Sequence, residues 1–109
     1  MNQSKRLEKY FTDLGSKDQP TRDLAAEYLG DLLEAEVISS VRLQEIIDQL
    51  GSRLEYEKSD IVLESILNAL SHSVFSRHDL QLPSKAIWSI LSRLNGCAFE
   101  HAKYILENT

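Results

Sequence analysis

The side chains through which this chain could do chemistry are three histidines, one cysteine and seventeen carboxylates. A local zinc site needs spacings such as His-x₃-His or His-Glu-x₂-His, which set two ligands on one helix face. His72, His78 and His101 form no such pair. His72 follows the apolar position Leu70 and reads as a helix-surface or helix-end residue. A nucleophilic Cys97 would need a base beside it, and His101, four residues on, is the local candidate. Its setting after Asn95-Gly96 and before apolar residues fits a half-buried structural thiol better. A single cysteine also excludes an internal disulfide and a paired-cysteine metal site. The four glycines are isolated and make no phosphate-cradling loop. Carboxylate pairs do acid–base work when they share a pocket that separates their pKa values; on helix surfaces they are solvated. The expectation is a protein that is not an enzyme and carries no catalytic residue, metal or cofactor.

Charge is more informative than chemistry. The 109 residues hold 12 Lys+Arg and 17 Asp+Glu, a net charge of −5. That balance opposes a phosphate backbone, which wants a basic face, and suits a basic protein. The charge is also uneven. Residues 31–64 hold nine acids and three bases, a balance of −6, and the remaining residues balance at +1. Tyr56 sits among those acids, in Glu55-Tyr56-Glu57-Lys58, off both flanking apolar stripes.

The elements that must position these groups read as helices. Leu7, Tyr10, Phe11 and Leu14 recur at i, i+3, i+4 and i+7, one stripe of a helix. The spacing predicts helices near 4–14, 20–37, 40–55, 59–76, 84–95 and 98–107. Ser4, Asp18 or Gln19, Ser39 or Ser40, Ser59 and Ser84 stand where N-caps belong. Pro20 fits a first turn, and Gly15 and Asn95-Gly96 fit helix ends. No segment alternates with period two between hairpin turns. The expected core includes Leu24, Leu29, Leu32, Ile46, Leu50, Val62, Ile66, Leu67, Leu70, Ile87, Leu91 and Ile105. Trp88, Tyr28 and Phe75 also fall on apolar stripes. No apolar run reaches the roughly 18 residues of a membrane span, and Met1–Arg6 leads into an amphipathic stretch, unlike a secretory signal. One all-α domain over 1–109 is expected, in a reduced, cytoplasmic setting.

A shift of 38 residues aligns Leu24, Ala25, Tyr28, Leu29 and Leu32 with Val62, Leu63, Ile66, Leu67 and Leu70, all apolar. The stretch 18–32, Asp-Gln-Pro-Thr-Arg-Asp-Leu-Ala-Ala-Glu-Tyr-Leu-Gly-Asp-Leu, resembles the first helix of a HEAT repeat. That pattern has Asp and Pro before the helix, then a basic residue, an alanine pair, Leu and Gly. The second copy lacks the Pro, the Arg and the Gly. The resemblance implies about six antiparallel helices stacked as hairpins and a surface for partners; an irregular helical bundle is the alternative. Fold does not fix function. In size, acidity and helical build the chain is also similar in type to small bacterial immunity proteins. That likeness implies an antidote that binds and neutralises a basic, nuclease-type toxin. The alternative is a structural or regulatory adaptor. The expected partner is a basic protein, with no nucleic acid and no membrane. The expected partner-binding residues are Glu45, Asp48, Glu55, Tyr56, Glu57 and Asp60.

Overall fold

The computed structural model describes residues 3–109; Met1 and Asn2 lie outside the described residues. Six α-helices follow one another: α1 (Gln3–Asp13), α2 (Gln19–Ala35), α3 (Ser40–Arg53), α4 (Asp60–Ser71), α5 (Ser84–Ile90) and α6 (Gly96–Glu107). A 3₁₀ turn, Leu91–Arg93, extends α5. There is no strand among the described residues, and no described helix is long and apolar enough to cross a membrane.

Three starts are capped as the sequence dictates. Asp18 accepts from the Thr21 N–H, Ser39 from Arg42 and Ser59 from Val62, each satisfying a donor that the helix itself leaves unpaired. Pro20 occupies the first turn of α2. Other ends depart from expectation. Ser4 lies inside α1, and Pro83, not Ser84, stands at the cap of α5. Gly15 keeps a negative φ, and the turn there closes through Gly15 N–H to Thr12 O and Ser16 N–H to Asp13 O. The positive φ values belong to Glu36 and Gly96. α4 stops at Ser71 instead of running to Ser76. Ser71 and Ser73 donate to the carbonyls of Asn68 and Leu70, offering the backbone an alternative to another helical turn.

The helices form two rows. Asp23 accepts from Ser65, Gly30 O meets His72 Nδ1, and Glu36 bonds Ser76. Partners rise together in sequence, so α2 and α4 lie side by side and point the same way. α6 continues the row: Asn95–Ala98 border one pocket with Asp60, Ile61 and Glu64, and beyond the other end Phe75 meets Tyr104 edge-on at 6.3 Å. The second row holds α1, α3 and α5. There Gln44 bonds the backbone of Gln81, Gly51 meets Pro83, and Glu55 meets Ser89. The extents, 40 × 33 × 18 Å, describe a slab. Its thin dimension is about two helix diameters of roughly 10 Å.

The core lies between the rows. Leu29, Leu43, Ile46, Ile47, Leu50, Leu54, Ile66, Leu67 and Leu70 are fully enclosed. Two expected core members differ: Leu24 is 62% exposed and Leu91 is half-buried. The buried arc of α2 runs through Ala25, Ala26, Leu29, Gly30, Leu32 and Leu33, and Leu24 falls outside it. Trp88, 63% exposed, turns away because seven-residue α5 buries Ile87 and Ile90. Phe75, beyond the end of α4, is also exposed. Tyr28 is half-buried and stacks on Tyr10 at 4.1 Å.

The small residues of α2 set the spacing of the first row. A methyl group at Gly30 would come within 2.9 Å of Ala69 Cβ and 3.0 Å of Ala69 Cα. Gly30→Ala gains about 1 kcal/mol of helix propensity but forces the helices apart, at about 1–3 kcal/mol. Urea denaturation is expected to show a net loss, partly restored by Ala69→Gly in the same chain. A Gly30→Ala variant more stable than the parent would contradict the close crossing.

Candidate functional site

The six expected partner-binding residues fall in three different places. Asp48, Glu55 and Tyr56 come together. α3 ends at Arg53, and the chain turns through Tyr56 N–H and Glu57 N–H, both donating to Arg53 O at 3.1 and 3.0 Å. This turn leaves Tyr56 69% exposed. Asp48, one turn of helix earlier than Ser52, is held by Gln44 Nε2 at 3.0 Å. Gln44 is itself fixed by two bonds to the backbone of Gln81. Glu55 accepts from Ser89 Oγ at 3.3 Å. Pro83 and Ala86 complete the wall of a depression of about 380 Å³. Gly51 lies at its base, where a Cβ would sit 2.8 Å from Pro83 Cβ. Tyr56 also borders a second depression, of about 270 Å³, with Phe11, Leu14, Gln49 and Arg53. The ring therefore stands between two hollows.

Glu45 shares the α3 surface but is half-exposed and ion-paired with Arg42. Asp60 is exposed, yet it lies in the first turn of α4 and borders the separate pocket that contains Ile61, Glu64 and Cys97. Glu57 is the main correction: it is fully buried and takes no part in any surface. Arg22 grips it with Nε at 2.9 Å and Nη2 at 3.0 Å, and the Ser59 N–H donates to it at 3.0 Å. Arg53 Nε lies 3.5 Å away, an ion pair too long for a hydrogen bond, and is a buried nitrogen without another partner. Burial alone would push the Glu57 carboxyl up. The Arg22 fork, the Ser59 N–H and the Arg53 charge outweigh it and hold the group below the ordinary carboxylate range.

Glu57 also ties turns together. Arg22 Nη1 donates to Ser16 O at 2.9 Å, between α1 and α2. Arg93, after α5, donates to Leu54 O at 3.1 Å and Glu57 O at 3.4 Å. Three connections thus meet around one carboxylate and its backbone. Arg22 lies 35 residues from Glu57, so no local pattern marks the pair. The available signal was the Arg of the 18–32 stretch, a base placed early in a helix that otherwise buries small residues.

The remaining reactive groups stay apart. His72 caps α4 and meets Gly30 O at 3.0 Å, a helix-end role. Cys97 is exposed, not half-buried, because it sits in the first turn of α6 ahead of the buried Ala98. No group of three or more His, Cys, Asp or Glu residues among the described residues could hold a metal. Comparison with protein families, with curated protein sequences and with solved structures returns no match to this chain.

Proposed function

We propose that this chain is a protein-binding module that docks a basic protein at the C-terminal end of α3. The observation that carries the reading is Tyr56, exposed on the rim of a depression that also holds Asp48 and Glu55. An aromatic ring gives a partner a rigid anchor, and carboxylates beside it steer cationic partners and repel nucleic acid. In its sharpest form the module is a cytoplasmic immunity protein that covers a basic, nuclease-type toxin. Binding alone does this work, without catalysis, metal or cofactor.

Affinity capture from the native host, followed by mass spectrometry, is expected to recover a stoichiometric basic protein. With that partner in hand, Asp48→Lys/Glu55→Lys should slow association about ten-fold or more at low salt. Part of the effect should vanish as the Debye length shrinks below about 8 Å. Tyr56→Ala should instead speed dissociation, at about 2 kcal/mol or more. Glu57 is left out of the reversal because its charge is internal. If the folded double variant keeps both rate and affinity, the site lies elsewhere.

A further inference from the structure

The two hollows beside Tyr56 differ in charge. The first holds Asp48 and Glu55. The second is lined by Phe11, Leu14, Gln49, Ser52, Arg53 and the Tyr56 ring, and no acid borders it. Its one charged group is the Arg53 guanidinium, and the protein uses little of that group's bonding capacity. Nε faces Glu57 Oε1 at 3.5 Å, and no guanidinium N–H of Arg53 makes a hydrogen bond to a described residue. Glu57 is already filled: Arg22 bonds both of its oxygens and the Ser59 N–H one of them. One carboxylate therefore stands between two guanidinium groups, and a positive charge is left over. The Arg53 side chain keeps 27% of its surface exposed while Nε is sealed. Nη1 and Nη2 are thus the nitrogens that solvent reaches. Gln49 is exposed beside it, and its side-chain amide bonds no described residue; Ser52 Oγ takes only the Gln49 backbone carbonyl.

We infer that this hollow binds the C-terminal residue of a partner chain, with an apolar side chain on that residue. Charge complementarity selects the carboxylate: Nη1 and Nη2 of Arg53 form the end-on fork that grips one at two points. Phe11, Leu14 and the Tyr56 ring give the apolar side chain its contact. The Gln49 amide, donor and acceptor in one group, matches the peptide bond that precedes a C-terminal residue. A bare anion such as phosphate would meet the guanidinium alone and leave the apolar wall uncovered. The site shares the Tyr56 ring with the surface proposed for a basic partner but selects the opposite charge, so the two readings stand or fall separately.

The test is an NMR titration of the ¹⁵N-labelled chain with the peptide acetyl-Gly-Gly-Leu, its C-terminal carboxylate free. The controls are the same peptide amidated at its C-terminus, acetyl-Gly-Gly-Gly with a free carboxylate, and inorganic phosphate. Saturable shifts are expected at residues 11–15 and 49–56 and in the Arg53 Nε–H signal. Amidation should weaken binding by about ten-fold or more through the lost fork, and the exchange of leucine for glycine by a similar factor through the lost apolar contact. Arg53→Gln should abolish the preference for the free carboxylate, and circular dichroism checks that it is folded; Glu57 keeps Arg22 in that variant. The comparison of peptides on the parent chain decides the matter whether or not the variant folds. Asp48→Lys/Glu55→Lys, which disables the surface for a basic partner, should not weaken the peptide, since it removes negative charge near a carboxylate site. Equal binding of the amidated or the glycine-ended peptide, shifts by phosphate that match those of the peptide, or no saturable shift with any peptide would each overturn the inference.

Discussion

Glu57→Ala is expected to lower the unfolding free energy by about 3–5 kcal/mol, because it strands buried cationic groups without their countercharge. Arg22 is mostly enclosed, and Arg53 Nε already lacks any partner but this carboxylate. Urea denaturation followed by circular dichroism measures the loss; a change below about 1 kcal/mol would mean that the carboxylate does not hold these turns. Acid should act through the same group. A carboxyl whose folded pKa is depressed contributes fully above its unfolded value, near 4.3 for glutamate, and loses that contribution as pH falls through the folded value. The parent should therefore lose stability below about pH 4.5 more steeply than Glu57→Gln, whose side chain does not titrate. Parallel pH profiles for the two chains would refute this.

Leu67→Ala is expected to cost about 2–5 kcal/mol, the range for emptying a fully enclosed leucine site. Leu67 is completely inaccessible in the middle of the central helix of its row. α2 packs on one flank of that helix and α6 on the other, so the cavity cannot collapse without moving both. A loss under about 0.5 kcal/mol would take Leu67 out of the core.

Leu67 also shows what the sequence makes legible. Its helix announces itself through a local cap at Ser59 and an apolar stripe of period 3.6, both encoded within a few residues. The same holds for Asp18 and Ser39, whose caps depend on neighbours three residues away. Glu57 is the opposite case. It sits in a charged string that reads as surface, and only Arg22, Arg53 and the turn between α3 and α4 turn it inward. Leu24 and Trp88 fail for a related reason: a stripe several residues wide has edges, and packing decides which edge is covered. Of the expected binding residues, Asp48, Glu55 and Tyr56 were legible as one surface because they follow each other around the end of one helix.

The parallel row also has a kinetic consequence. Contacts between α2 and α4 span about forty residues, as Asp23–Ser65 and Gly30–His72 do at 42, whereas each hairpin turn closes a short loop. Loop-closure entropy then favours hairpins first and the row second. α4 is the element that both neighbours of the row must find, so any folding nucleus that commits the chain has to include it. Substitutions in α4 should slow refolding, while those at the margin, such as Ala102 in α6, should mainly hasten unfolding. The order in which the slab assembles is written in its middle helix.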